Sequence, residues 1–360
     1  MPQTPAGGKA KLLPRGTQVD GFVIDAPLGA GAMGQVYRAH DHLTGKRVAI
    51  KLVQIRLKDD WRFRDGLLQE IALTAAMEHP NIATYAGHGT WRDMPYLALE
   101  HVPGPSLAEV IEKHPLSERQ CLRFIIQAAE GLDHAFQRCQ LIHRDIKPGN
   151  LLIDFRGHPI PTPDAVLKII DFGLAKAKSM ADMDEFSMEQ SLTGAGSTIG
   201  GAVGLGTPYY LSPEQAAGHE VDFRSDLYSL GATLFHLLTR RVPFPAANAN
   251  MAMIAHLNEP VPDPVAINGA LHPATCALAM RCLAKEPRQR FLSYQQFIAM
   301  AKGAMHGVRN KNRLESRVSI SDTLGRPSIA SADEPPRKLT GADALREATT
   351  RIQRRSGEAG

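Results

Sequence analysis

The chain has 360 residues, room for about two domains or lobes around a real hydrophobic core, which excludes peptide-hormone and stapled mini-protein classes. Apolar residues make up 43% and charged residues 22%, and 31 glycines with 25 prolines stay below the share that marks low-complexity sequence. The formal net charge is +4, and residues 306–360 alone hold 11 Lys and Arg against 7 Asp and Glu. The first 305 residues are therefore neutral, which argues against a nucleic-acid-binding domain, whose basic residues would gather on one face.

Four cysteines, Cys121, Cys139, Cys276 and Cys282, form no CxxC pair and read as reduced thiols of a cytoplasmic protein. The opening residues MPQTPAGGKAKLLPRG offer only Leu12 and Leu13 where a signal peptide needs a long apolar run. The long uncharged stretch 191–213 is rich in glycine and hydroxyls rather than apolar, so no transmembrane segment is expected.

In chain order, residues 1–19 lack periodicity and read as a disordered leader. From Asp20 strand-like runs begin: Phe22, Val23 and Ile24 lead into LGAGAMGQVYRAH, Thr44 and Gly45 mark a turn, and RVAIKLV at 47–53 returns as a third strand. A helix is expected over 59–78 and a strand over 96–102, closed by Pro103, Gly104 and Pro105. From Leu107 the chain is mainly helical, with apolar-periodic stretches at 118–137, 225–239 and 273–283. A small β-rich part thus precedes a larger helical one, an α+β chain with its joint near 100–105. Residues 306–360 shift to Arg, Ser, Asp and Pro and read as a basic, disordered tail, with a transient helix around Leu345, Ala348 and Ile352.

Three groups of residues carry chemistry. Gly29, Gly31 and Gly34 spell GxGxxG. A dinucleotide-binding fingerprint would need a helix directly after the glycines and an acidic residue about twenty positions on. Here a hairpin follows, and Lys51 stands at that distance. With Val36, the pattern fits a glycine-rich flap closing over nucleotide phosphates, where a Cβ would block close approach. Lys51 ends VAIK, sharing a strand face with Ala49. On the helix that follows, Phe63, Leu67, Glu70, Thr74 and Met77 fall on one face, and an inward carboxylate is costly unless paired, so Glu70 is the partner expected for Lys51.

The third group is LIHRDIKPGNLLID, with His143, Arg144, Asp145, Lys147 and Asn150. Two acceptors five apart in a polar loop suit a division of labour in which Asp145 accepts a hydroxyl proton while Asn150 offers a carbonyl oxygen to a magnesium ion. Twenty-one positions on, IIDFGL places Asp171 at a strand end before glycine, suited to hard cations that bridge phosphates.

Together with EHPNI, GTPYYLSPEQ, SDLYSLG at Asp226 and KEPRQRF at Arg290, these strings over residues 20–305 resemble the eukaryotic-type (Hanks-type) serine/threonine protein kinases. The wording of AGAMGQVY and GTPYYLSPEQ is most similar to the bacterial members. The resemblance implies a bilobal protein kinase fold, with an N-lobe over about 20–102 and a C-lobe over 103–305, and the use of ATP and Mg²⁺. It implies Asp145 as catalytic base, Lys147 neutralising the transferred phosphoryl group, and Asn150 with Asp171 holding magnesium. Leu28, Gly29, Ala30, Gly31, Ala32, Met33, Gly34, Gln35, Val36, Ala49 and Lys51 would enclose ATP. Backbone groups of Glu100 and Val102 would meet the adenine edge, with Leu99 guarding the pocket behind. Thr207 would bond to Asp145 and Lys147, and Glu214 would pair with Arg290.

Two departures from that pattern stand out. The insertion FRGHPIPTPDA between Asn150 and Asp171 carries three prolines and reads as an exposed loop. The segment from Asp171 to Glu214 is long and holds Ser179, Ser187, Ser191, Thr193, Ser197 and Thr198. Autophosphorylation is expected among the last four, with Arg144 as the cation a phosphate would engage. The partners implied are proteins with Ser/Thr acceptors and a second copy of the chain as homodimer for trans-autophosphorylation. The rivals are a pseudokinase scaffold, which usually lacks a lysine, base or aspartate that is present here, and a small-molecule phosphotransferase, which lacks GTPYYLSPE.

Overall fold

Six strands open the chain as one antiparallel sheet: β1 (Gln18–Val19), β2 (Phe22–Gly31), β3 (Gly34–Asp41), β4 (Arg47–Val53), β5 (Tyr85–Trp91) and β6 (Met94–Glu100), in the order β1-β2-β3-β4-β6-β5. This computed structural model describes residues 12–31, 34–53, 71, 74–172 and 208–324, the side chains of 311–324 excepted. Strand alternation sorts the side chains of β4: Val48, Ile50 and Leu52 join Tyr37, Ala39, Tyr96 and Ala98 in one core, while Ala49 and Lys51 take the opposite face. The sheet curls until its edges meet. Trp91 Nε1 on β5 donates to the Gln18 carbonyl of β1 at 3.0 Å, and the Phe22 and Tyr96 rings pack edge to face at 6.2 Å.

Helices dominate from Leu107. α1 (Leu107–Lys113) and α2 (Glu118–Cys139) each start with a capping box, Ser106 with Glu109 and Ser117 with Gln120. A two-stranded hairpin, β7 (Leu151–Asp154) and β8 (Val166–Ile169), follows. Then come α3 (Pro213–Ala216), α4 (Phe223–Thr239), α5 (Ala249–Asn258), α6 (Pro264–Ile267), α7 (Pro273–Cys282) and α8 (Tyr294–Leu324). Leu122 and Ile125 of α2, Leu230 and Leu234 of α4, Leu278 of α7 and Phe297 of α8 share one core. A Cβ on Gly231 would lie 2.3 Å from Cys282 Cβ, so a glycine is what lets α4 and α7 cross closely. Among the described residues no helix is long and apolar enough to cross a membrane.

Described structure extends past both ends of the 20–305 region. Within the leader, residues 12–19 are ordered: β1 pairs with β2, and Leu13 packs against the sheet core. At the other end α8 continues past residue 305, because Val308 still lies in the helical core. Residues 1–310 form one compact unit and 311–360 another, of which helical backbone is described up to Leu324. The insertion at 155–165 is exposed at residues 156–160, but Pro161 and Ala165 are buried. Gln120 Nε2 donates to the Pro161 carbonyl at 3.2 Å and Arg123 Nη2 to that of Thr162 at 2.7 Å, so two residues one turn apart on α2 pin it down.

Candidate active site

The floor of the site is the loop between α2 and β7. Its anchor is Asp226, fully buried near the start of α4. Asp226 Oδ2 accepts the His143 amide and Oδ1 the Arg144 amide, both at 2.8 Å, and the Tyr294 hydroxyl donates to Oδ2 at 3.2 Å. Burial pushes the Asp226 carboxyl above the usual carboxylate range, an effect that His143 and the two amides only partly offset. Arg144 takes a left-handed backbone, φ 64°, fixed by the Gln215 side-chain amide donating to its carbonyl at 2.8 Å.

Asp145 follows directly. Lys147 Nζ donates to its two carboxylate oxygens at 3.0 and 2.8 Å. Asn150 Nδ2 donates to the Asp145 carbonyl at 2.7 Å and to Oδ2 at 3.2 Å. The Asn150 amide nitrogen is thus spent on the loop, and its oxygen is the atom left for a ligand. The Ile170 amide donates to the Asn150 carbonyl at 3.0 Å, which sets Asn150 beside Asp171 at the open end of the β7–β8 hairpin. His143 Nε2 meets the Ile170 carbonyl at 3.0 Å and its ring packs edge to face on Phe172 at 4.8 Å, tying the loop to the Asp171 segment.

The roof comes from the sheet. Lys51 Nζ reaches down to Asp171 Oδ2 at 2.8 Å, a partly buried pair that joins the two walls of the cleft. Beside it, β2 and β3 form the glycine flap, with Gly29 opposite Val36, Ala30 opposite Gln35 and Gly31 opposite Gly34. Gly34 has φ 144°, and a Cβ there would sit 1.8 Å from the Leu52 carbonyl oxygen, so no other residue fits. Leu28 is half exposed at the mouth, while Leu99 and Val102 are buried behind.

A carboxylate flanked by an ammonium, a second carboxylate on a lysine from the facing wall, and a glycine flap above form the arrangement that phosphoryl transfer requires. Residues 22–301 match the protein kinase domain. The chain belongs to the protein kinase family. The kinase is 31% identical to the serine/threonine-protein kinase PrkC of Bacillus subtilis over 329 residues, 91% of this chain and 47% of that protein. It is 35% identical to the serine/threonine-protein kinase PksC of Streptomyces coelicolor over 298 residues, 80% of this chain and 49% of that one. The chain spans about half the length of the curated relatives it matches. The crystal structure of a double mutant of the PknI kinase domain of Mycobacterium tuberculosis shares the fold, with a TM-score of 0.62, 24% identity, and coverage of 82% of this chain and 100% of that one.

Of the site residues expected from sequence, this kinase brings Asp145, Lys147 and Asn150 together on the floor, and Lys51 and Asp171 across the cleft. Glu70, Thr207, Ala32, Met33 and residues 173–207, with the hydroxyls expected to be phosphorylated, lie outside the described residues. Glu214 and Arg290 meet as expected: Arg290 Nη1 and Nη2 donate to Glu214 Oε1 and Oε2 at 2.6 and 2.8 Å, and Ser225 Oγ donates to Oε1 at 2.5 Å. Sequence reasoning named Asp226 only as part of the SDLYSLG motif, without its role as anchor, and it missed two further supports, Gln215 and the Lys168–Glu100 pair. In that pair the ammonium of β8 lies 2.5 Å from the carboxylate at the end of β6, linking the two lobes behind the cleft. Asp226 carried a readable signal, being an acidic residue inside an apolar-periodic helix, the same argument applied to Glu70.

Proposed function

We propose that the chain is a serine/threonine protein kinase that transfers the γ-phosphoryl group of Mg-ATP to Ser and Thr hydroxyls of proteins. The observation that carries this reading is the floor of the cleft, where Lys147 and Asn150 hold the Asp145 carboxylate on a loop that Asp226 fixes from below. Asp145 orients the acceptor hydroxyl and takes its proton as the oxygen attacks phosphorus. Lys147, already beside that carboxylate, offsets negative charge on the group in transit. Lys51 draws the nucleotide phosphates toward Asp171, and the glycine flap supplies backbone amides above them.

The donor set suits a hard cation: the Asp171 carboxylate and the Asn150 amide oxygen are oxygen ligands, and Mg²⁺ takes one or two protein carboxylates plus phosphates and water. Bound there, Mg²⁺ would neutralise charge on the phosphates. Leu28, Ala49, Leu99 and the backbone of Glu100 and Val102 would hold the adenine. The Glu100 amide is already taken by the Thr84 carbonyl at 2.8 Å, which leaves the carbonyl side of this residue for recognition.

Autophosphorylation of Ser191, Thr193, Ser197 or Thr198 on a second copy of the chain belongs to this reading, with Arg144 as the receiving cation. The four unpaired cysteines, three of them buried, support a cytoplasmic chain. The test is radiolabelled transfer by protein purified from a host lacking other kinases, offered protein substrates and small alcohols side by side, with phosphosites mapped by mass spectrometry. Label on protein hydroxyls supports the reading. Label on the alcohols alone would favour a small-molecule phosphotransferase, and no transfer at all a pseudokinase.

A further inference from the structure

The face of β3 that turns into the sheet core carries Tyr37 and Ala39, as apolar packing demands, but two residues before Tyr37 it also carries Gln35. Gln35 is buried, and a glutamine amide withdrawn from water is costly unless it is hydrogen-bonded. Its Oε1 accepts from the Tyr37 hydroxyl. That hydroxyl, fully buried, in turn accepts the backbone amide of Leu13 at 3.0 Å. One phenol oxygen therefore joins three places: the leader segment at 12–19, the middle of β3, and the flap end of β3, where Gln35 lies opposite Ala30 on one side and Leu52 on the other.

We propose that Tyr37 and Gln35 are positioning residues that tie the glycine flap to the leader segment, so that the leader helps set how tightly nucleotide phosphates are held. This rests on the kinase reading above. Gln35 directly follows Gly34, whose backbone cannot move toward Leu52 without collision, so a pinned Gln35 side chain fixes the return strand of the flap. Without the phenol oxygen the buried Gln35 oxygen loses a donor, and the strand regains that bond by turning the amide toward water, which loosens the flap. The phosphates lie under the flap, whereas adenosine is held at the other end of the cleft by Ala49, Leu99 and Val102. The loss should therefore fall on the phosphates alone.

Tyr37→Phe removes one oxygen and keeps the ring in the core; Gln35→Met removes the acceptor at similar length, and Leu13→Pro removes the amide donor. With the full chain, titration calorimetry should show Tyr37→Phe and Gln35→Met each weakening Mg-ATP about three- to tenfold, as loss of one hydrogen bond implies, with adenosine affinity within about twofold. The Michaelis constant for ATP should rise more than the turnover number falls, the double variant should cost no more than the larger single one, and Leu13→Pro should shift ATP in the same direction. Equal weakening of ATP and adenosine, or a lower melting temperature with ATP affinity unchanged, would overturn the proposal and leave Tyr37 a core residue. Lys51→Met separates the two readings. If it abolishes the preference for ATP over adenosine while Tyr37→Phe does not touch it, only this inference fails; if the parent chain shows no such preference, the kinase reading fails with it.

Discussion

The catalytic loop and the glycine flap face each other across one cleft but are held by different means. Below, the backbone amides of His143 and Arg144 end on a carboxylate that is 0% exposed, Gln215 fixes the next carbonyl, and the loop's own Asn150 closes back on Asp145. Above, the flap depends on strand pairing, on glycine where the backbone crowds Leu52, and on one phenol hydroxyl. The difference follows from what each wall does. On the proposed reading, a general base must point correctly before any substrate arrives, so its loop would be over-determined, whereas a roof would have to lift for nucleotide to enter and could carry only a few strong ties.

Removing supports from the floor should therefore cost more than removing them from the roof. The largest effect on stability belongs to Glu214→Gln, which leaves Arg290, 0% exposed, without its carboxylate and should destabilise the fold by about 3–5 kcal/mol in urea unfolding. The sign of its pH dependence is fixed. Burial pushes the Glu214 carboxyl up, but hydrogen bonds and charge from Arg290 outweigh this and hold it below the ordinary value. The pair's contribution is present above the ordinary carboxylate range and lost as pH falls through the lowered value, so the variant should lose that acid limb.

Asp226→Asn comes next. It keeps the shape but turns one acceptor into a donor aimed at a backbone amide, and should cost about 2–3 kcal/mol and lower turnover more than it raises the Michaelis constant for ATP. A turnover number unchanged in a folded Asp226→Asn protein would separate the catalytic loop from its buried anchor.

His256 gives a smaller effect, away from the cleft. It is fully buried against Phe244 with its Nδ1 2.8 Å from the Tyr228 hydroxyl, and burial, with Lys285 nearby, lowers its pKa to about 4. A lowered folded value means stability that is complete above about pH 6.5 and lost as pH falls toward 4. Between pH 7 and pH 5 the parent should lose about 2 kcal/mol more than His256→Gln, read from denaturant melts at both pH values.

How much of this was legible in the sequence depended on where each partner lies. β4, α2 and α4 were readable because their signal is local: RVAIKLV alternates, α2 buries residues at helical spacing, and α4 is a long, mostly apolar run that is buried almost all round. β5 was not, because YAGHGTW is an edge strand with two glycines and no fully buried residue to betray its period. Lys51, Asp145, Asn150 and Asp171 could be singled out by residue type and order, yet the pairing of Lys51 with Asp171 spans 120 positions and needed the fold. Asp226 and Gln215 bond backbone groups far away in sequence, and Tyr37 differs from any core tyrosine only in what its hydroxyl touches. The insertion is exposed over most of its length, as its prolines suggest, but nothing local shows that Gln120 and Arg123 on α2 hold two of its carbonyls.

The central claim, that Asp145 is the base of a phosphoryl-transfer site, is tested most directly by measuring two quantities on Asp145→Asn. Asparagine matches aspartate in size but cannot take the substrate proton. Mg-ATP affinity by titration calorimetry should stay within about an order of magnitude of the parent, roughly 1.4 kcal/mol, because on the proposed reading the roof and Asp171 hold the nucleotide. Radiolabelled transfer to a protein substrate should fall by about 10²- to 10⁴-fold. A folded Asp145→Asn protein that binds Mg-ATP and still transfers phosphate at a near-parental rate would contradict the assignment and the mechanism built on it.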